Sequence, residues 1–390
     1  MLEAGAGRSS NSSTDLAVKE ATAEAMQRLT GKADLAILFA TVEHVPGLRQ
    51  SLKAVQAMTG TTQVVGCTGL GVLTADEETE RSSGLAVMAI SSDTVRVHSF
   101  FRESIKNNDR ELGAEIAQSL APEEPRLITI LTDGYNCQPT SLLAGLERQE
   151  RFTPIVGAAA SENGSLGQTC QFYQDHVISN GVAGFALSGP FRTHIDITQG
   201  CQPVGAARTI TKAQANLILE IDHRPAFDVF IETIGTPFQQ DLRRALAFVF
   251  VGLPPDPSQT AIRPGQYLVR NIIGLDPSKG ILAVAQPVAA GQPMTFTFRD
   301  GQRAREDLEQ MLARQTASLA GKKPVLGMYF NCCARGSSLY GIPGIDTAYI
   351  KKALGDTPVI GLFGNFELGP LAGRNHLLTY TGVLVLITEE

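Results

Sequence analysis

Tryptophan is missing from this chain of 390 residues, and aromatic residues of all kinds make up only 6%. That scarcity disfavours a ligand site built as a cage of aromatic rings. A basic surplus is missing too. Thirty-three lysines and arginines stand against 39 acids, a net charge of −6. With no excess positive charge to collect on phosphates, nucleic acid is not an expected partner. Long apolar runs are also lacking: the longest, Ala245–Leu253, has about nine residues and is too short to span a bilayer. The opening stretch MLEAGAGRSSNSS has no apolar segment of the secretory kind. A reducing cytoplasm is the expected location.

Six cysteines are present (Cys67, Cys137, Cys170, Cys201, Cys332 and Cys333), yet no C-x-x-C occurs. Zinc ribbons, thioredoxin-type redox pairs and c-type haem attachment therefore lack their signatures. No disulfide framework is expected without a secretory leader. The strings of a P-loop, a zincin or a serine hydrolase are absent as well. The six histidines have no metal-ligand spacing, so no multi-histidine metal site is expected. A single axial haem ligand needs only one histidine, which leaves that chemistry open.

What is present is an ordinary globular composition, 43% hydrophobic and 18% charged, arranged in a repeat. Three segments share one order. The first has LAILFA (35–40), a helical stretch (48–58), VVGCT (64–68) and GLAVMAI (84–90). The second has LITILT (127–132), a helical stretch (139–149), IVGAA (155–159) and GFALS (184–188). The third has VLGMYF (325–330), a helical stretch (345–354), VIGLF (359–363) and GVLVLI (382–387). Short apolar runs bounded by glycine and polar residues predict buried strands. The apolar spacing of Leu48, Leu52, Val55 and Met58 predicts a helix between them.

An amphipathic helix is expected before each unit, at 15–29, 108–120 and 304–319. Strands VRVHSFF (95–101) and MTFTFR (294–299) are expected before two of these helices. On that count the second and third units, 95–188 and 294–387, are each about 94 residues long. Residues 192–300 instead alternate like half-buried antiparallel strands, with a proline-rich loop at 251–265. The expected fold is α/β, or mixed α+β: repeated strand–helix–strand units with an inserted antiparallel hairpin region. The expected organisation is a disordered terminus (1–14), an N-terminal domain (15–199) and a C-terminal domain (200–390).

Several glycines sit at strand ends. GCTGLG (66–71) lacks dinucleotide-binding spacing and reads as a tight turn, and one glycine recurs in all three units as Gly66, Gly157 and Gly361. It serves either close packing or the approach of a ligand to the backbone. NCCARG (331–336) follows the first strand of the third unit, and FGNFELGP (363–370) follows the second. Both loops belong at the carboxyl edge of a parallel pair, which brings Arg335 towards Glu367. Three readings fit: a structural ion pair, a ligand pocket floored by that pair, or an enzyme with Cys332 as nucleophile beside Glu367 and His376.

At NCCARGSSLYG, DTPVIGLFGNFELGP and NHLLTYTGVLVLI the chain resembles the C-terminal half of the FIST family. QGCQPVGAARTITKAQANLILEIDHRPAFDVF (199–230) resembles the family's middle segment, and DLAILFA with VVGCTGLGVL its N-terminal half. The two expected domains then correspond to FIST N and FIST C. The resemblance implies a sensory, signal-transducing protein that binds a small ligand, amino acids among the suggested ones, and has no catalytic activity. It assigns Cys332, Arg335, Gly361, Asn365 and Glu367 to the ligand site. Phe366 departs from the family's glycine at its position, which implies a narrower pocket. Free-standing bacterial members include haem proteins that sense nitric oxide and regulate a histidine kinase or a cyclic-di-GMP enzyme. That variant implies haem b in a slot lined by Phe363 or Phe366, with His376, or else His44, as the axial ligand.

Overall fold

The computed structural model describes residues 1–147, 151–236 and 238–390. The first repeat opens with strand β1 (Leu2–Ser9) and helix α1 (Thr14–Met26). It continues through β2 (Leu35–Ala40), α2 (Val45–Thr59) and β3 (Val64–Thr68). A hairpin of β4 (Gly71–Thr74) and β5 (Glu78–Glu80) follows, then β6 (Leu85–Ser92). The second repeat has β7 (Arg96–Glu103), α3 (Asp109–Leu120), β8 (Leu127–Thr132) and α4 (Pro139–Leu146). It ends with β9 (Ile155–Ala159), the hairpin β10 (Gln171–Tyr173) and β11 (His176–Ile178), and β12 (Gly181–Ser188). Residues 148 and 149, expected in the helix of this repeat, lie outside the described residues.

The third repeat begins with β13 (Phe191–Gln199) and is then interrupted. The insertion holds β14 (Cys201–Gln214), β15 (Leu217–Ile221), β16 (Arg224–Pro225), α5 (Ala226–Ile234) and α6 (Leu242–Phe248). It closes with β17 (Val249–Leu253), β18 (Leu268–Asp276), β19 (Ile281–Val284) and β20 (Pro293–Arg299). The repeat resumes with α7 (Gly301–Ser318), β21 (Leu326–Cys332), α8 (Ser337–Tyr340), α9 (Ile345–Leu354) and β22 (Val359–Gly364). The hairpin β23 (Glu367–Leu371) and β24 (Arg374–Leu378) leads to the last strand, β25 (Thr381–Glu389).

The fold is thus mixed α/β, and the repeat is visible in its sheets. The three six-stranded sheets run β1-β6-β2-β3-β10-β11, β7-β12-β8-β9-β23-β24 and β13-β25-β21-β22-β4-β5. In each, the two central strands pair in parallel, and the exchanged hairpin joins the sheet antiparallel. The two outermost strands on one side always come from a neighbouring repeat. The first repeat gives its hairpin to the third, the second to the first, and the third to the second. Helices cover one face of each sheet. Val18 and Ala21 of α1 pack with Leu48 and Leu52 of α2 on the first, Ile116 and Leu142 on the second, and Leu308 and Ile350 on the third.

Two expectations are corrected. Residues 1–14 are not a disordered terminus: Leu2–Ser9 pairs along its whole length with β6. Its small side chains let α1 come close, since a Cβ on Gly5 would lie 2.0 Å from the Ala25 carbonyl oxygen. The strand at 294–299 does not open the third repeat, because β20 pairs with β14 and β17 inside the insertion. β13 takes the edge position instead, so the common length of about 94 residues does not extend to the third repeat.

The chain forms two compact units, Met1–Ile197 with Leu308–Leu377 and Thr381–Glu390, and Thr198–Asp307 with Leu378–Tyr380. It is therefore not divided once near residue 200; it leaves the first unit after Ile197 and returns at Leu308. The second unit has a seven-stranded sheet in which β14 also pairs with β15, around a core including Phe230, Val251 and Phe296. Among the described residues no helix is long and apolar enough to cross a membrane.

Candidate functional site

The carboxyl ends of β3, β9 and β22 meet within the first unit. Ser161, just past β9, donates its amide to the Thr68 carbonyl at 3.1 Å and its hydroxyl to the Phe363 carbonyl. The Ser161 hydroxyl oxygen also accepts from the Leu70 amide at 2.7 Å. Asn365 donates its amide to the Ala159 carbonyl at 3.0 Å and its side chain to the Gly134 carbonyl at 2.8 Å. One serine thus touches all three repeats. No family of spacings in the sequence pointed to it, because its partners are main-chain groups far along the chain.

The recurring glycine answers the question its position raised. A Cβ on Gly66, Gly157 or Gly361 would fall 1.7, 1.9 or 2.3 Å from the carbonyl oxygen of Leu38, Ile130 or Tyr329, respectively. All three lie inside a parallel strand pair. Gly361 is therefore a close-packing residue within β22, one turn of chain short of the strand end where Asn365 is exposed.

Arg335 lies in the loop after β21 and is completely buried. Its ionic partner is not Glu367. Nη2 contacts Asp346 Oδ1 at 3.0 Å and Nε donates to Asp346 Oδ2 at 3.2 Å. Nη2 also donates to the Tyr340 hydroxyl at 2.6 Å. The same carboxylate accepts from Tyr329, Asn331 and Tyr340 at 3.0, 2.9 and 2.6 Å. Burial opposes both charges, and their mutual attraction outweighs it: Asp346 stays below the usual carboxylate range and Arg335 above its own. Asp346 was not legible as a partner, since it lies in the first turn of α9, where an acid reads as a helix-end charge.

Glu367 begins β23, where that strand joins the second repeat's sheet opposite Ala158. It is fully buried. Oε2 accepts from the Thr381 hydroxyl at 2.7 Å, while Oε1 has no partner among the described residues. Burial drives its pKa well above the ordinary value; the nearby Cys332 adds to this and Arg335 opposes it. Burial thus favours the protonated carboxyl. Arg335 and Glu367 feel each other's field without bonding. Two more buried atoms at this end of β21, Arg335 Nη1 and Asn331 Oδ1, also lack partners among the described residues.

Phe366 does not narrow a pocket at the strand ends. It packs with Ile130, Ala159 and Leu368 in the second repeat's core, whereas Phe363 packs in the third repeat's core with Tyr329 and Leu384. Burying a phenylalanine is worth roughly 1.5–3 kcal/mol, so Phe366 anchors the exchanged hairpin. Both rings are committed to core packing and do not line a haem slot. His44 is fully enclosed in the turn after β2, with Nδ1 3.2 Å from the Thr14 hydroxyl. An axial role would require that turn to open. His376 is half-buried on β24, the outer strand of the second sheet.

A cavity of about 500 Å³ lies elsewhere, among Leu120, Ile128, Leu146, Phe152, Ile155 and Arg374. It opens towards the amino ends of β8 and β9, and none of the predicted site residues lines it. Among the described residues, no group of three or more histidine, cysteine or acidic side chains is placed to hold a metal ion.

Comparison with known proteins matches a FIST N domain model to residues 34–224 and a FIST C domain model to residues 226–370. An uncharacterized protein of Mycobacterium tuberculosis is 28% identical over the full length of both chains. An uncharacterized protein of Mycobacterium bovis is 28% identical over 96% of each chain. One from Methanocaldococcus jannaschii is 19% identical over 54% of this chain and 43% of its own. Among solved structures, a cyanuric acid hydrolase from A. caulinodans aligns over 100% of this chain and 99% of its own. Its TM-score is 0.35 at 12% identity, too low to carry an argument.

Proposed function

Since this chain belongs to the FIST family of signal-transduction sensory domains, we propose that it senses a small polar ligand and has no catalytic activity of its own. The ligand binds at the carboxyl ends of β21 and β22, against Cys332, Arg335, Asn365 and Glu367. One observation carries the reading. Three fully buried polar atoms in this one neighbourhood, Arg335 Nη1, Asn331 Oδ1 and Glu367 Oε1, have no protein partner among the described residues. Leaving such groups unmatched costs about 1–3 kcal/mol each, and a small amino acid or related carboxylic acid has complementary donors and acceptors.

The location suits signalling. Glu367 belongs to the third repeat by sequence and to the second repeat's sheet by pairing. A ligand gripping it there favours one arrangement of the β23–β24 hairpin over another. Differential affinity for two arrangements is what shifts a population. A histidine kinase or a cyclic-di-GMP enzyme that reads the hairpin then receives the signal, in the cytoplasm.

Calorimetric titration of the full chain with the twenty amino acids tests this. At least one is expected to bind, with affinity reduced about tenfold or more in Glu367→Gln, the equivalent of ~1.4 kcal/mol. An amino acid that binds the two proteins equally well removes Glu367 from the site.

A further inference from the structure

Of the six cysteines, four are deeply buried: Cys67, Cys137, Cys170 and Cys201. Burial raises the thiol pKa of Cys67, Cys137 and Cys170, to about 11 in the case of Cys170. Cys332 and Cys333 differ in kind. Cys332 is the buried last residue of β21, and Cys333 is partly exposed in the loop that follows. The Cys333 amide donates to the Gly364 carbonyl at 2.7 Å, which fixes the backbone between the two thiols. The adjacent Cys332 thiol favours the Cys333 thiolate.

Charges face the Cys333 sulfur from two elements. Arg81, exposed at the end of the β4–β5 hairpin, favours the thiolate, and Glu367 would disfavour it when ionised. Burial of the thiol and Glu367 both oppose the thiolate, each more strongly than Arg81 favours it. The neighbouring Cys332 thiol is the largest influence and outweighs burial and Glu367, so the Cys333 thiol lies below its usual range. A partly exposed thiol with a cationic neighbour and an adjacent second thiol is the arrangement of a redox-responsive cysteine with a resolving partner.

We propose that Cys332 and Cys333 are a thiol switch in which a hydroperoxide oxidises Cys333 and Cys332 resolves it as a disulfide between adjacent residues. In the first step the Cys333 thiolate attacks the peroxide. A sulfur–oxygen bond forms, the oxygen–oxygen bond breaks, and the alcohol or water leaves with a proton from solvent. Sulfur is oxidised by two electrons and the peroxide reduced by two. In the second step Cys332 attacks the Cys333 sulfenic acid. A sulfur–sulfur bond forms, the sulfur–oxygen bond breaks, and water leaves with the Cys332 proton.

Adjacent Cα atoms across a trans peptide lie about 3.8 Å apart, short of the usual ~4.4–6.8 Å of disulfides. The product is therefore strained and easily reduced, as reversible regulatory disulfides are. Closing it draws the Cys332 sulfur away from Glu367 and strains the Cys333–Gly364 hydrogen bond. Oxidation would thus register at the same strand ends, whether or not any small ligand binds there.

The test uses the folded full chain, near-equimolar hydrogen peroxide, alkylation of remaining thiols and mass spectrometry of the peptide holding both cysteines. That peptide is expected to lose two hydrogens, about tenfold or more faster than any other cysteine is modified, and to recover with a dithiol reductant. Cys332→Ser is expected to stop at a sulfenic acid trapped by a cyclic dione. Cys333→Ser is expected to abolish the reaction, with circular dichroism confirming both folds. Two outcomes in the wild-type chain overturn the switch: Cys333 reacting no faster than the buried cysteines, or a Cys333 sulfenic acid that persists without disulfide formation.

Discussion

The second and third repeats close the carboxyl end of their first central strand in different ways. In the second, Asp133 follows β8 and is almost fully buried. Its carboxylate accepts from the amides of Tyr135, Asn136 and Asn180 at 2.9, 2.7 and 3.2 Å, and from the Thr169 hydroxyl at 2.9 Å. Main chain does most of the work and both oxygens are used. In the third, the carboxylate is Asp346, and its partners are the side chains of Arg335, Tyr329, Asn331 and Tyr340. Side chains can be exchanged or reoriented where amides cannot. The same place in the repeat is a sealed turn in one copy and, in the other, a polar cluster with unmatched atoms at its border. Duplication lets one copy keep the fold while another acquires a site.

Removing the charge from the third repeat's cluster tests that contrast most severely. Asp346→Ala leaves Arg335 buried and unpaired, which costs about 3–5 kcal/mol. Urea denaturation should show that loss, or the protein should fail to fold; a loss under ~1 kcal/mol would mean that the ion pair is not what holds the loop. Asp133→Asn keeps the shape of the second repeat's turn and gives up the charge on its hydrogen bonds. A smaller loss is expected, about 1.5–3 kcal/mol, on the scale of charged hydrogen bonds. Equal losses at the two sites would erase the distinction between them.

The third way is pH, and its sign separates the two acids at the third repeat. Glu367 has a raised pKa in the folded chain, so the folded state binds its proton more tightly than the unfolded one. Stability from this group is full below the ordinary glutamate pKa and is lost as pH rises through the folded value, by up to ~1.4 kcal/mol per pH unit. Asp346 is shifted the other way, and its contribution is lost as pH falls below the ordinary aspartate value. Glu367→Gln should flatten the alkaline-side decline while leaving the acid-side loss intact. An unchanged pH profile would mean that Glu367 is ionised in the folded protein.

Much of the fold was legible because its strands are short apolar runs punctuated by glycine and its helices carry a 3.6-residue stripe. β1 was not. LEAGAGRS has no β-branched residue, and its burial rests on Gly5 and Gly7 admitting α1, a property of the helix as much as of the strand. Hairpin exchange was not legible either, because the sequence of β23 shows that it pairs but not with whom. At the site, Cys332, Arg335 and Glu367 were picked out and lie within electrostatic reach of one another. The partnership was misread because Asp346 enters from a helix eleven residues beyond Arg335. Glu367 crosses into another sheet, taking its side chain off the line that a single strand–helix–strand unit would draw.

The cyclic hand-over of hairpins also sets the order in which the chain can be assembled. The first repeat's sheet lacks its outer strands until residues 171–178 exist, and the second repeat's until residues 367–378 exist. On a ribosome, the second sheet therefore waits until residues 367–378 are made, and its edge at β9 stays open meanwhile. Contacts of such long sequence separation fold slowly and leave unpaired edges exposed to aggregation. The third repeat, in contrast, receives a hairpin made early, at residues 71–80. Completion of its sheet should thus be limited by its own synthesis.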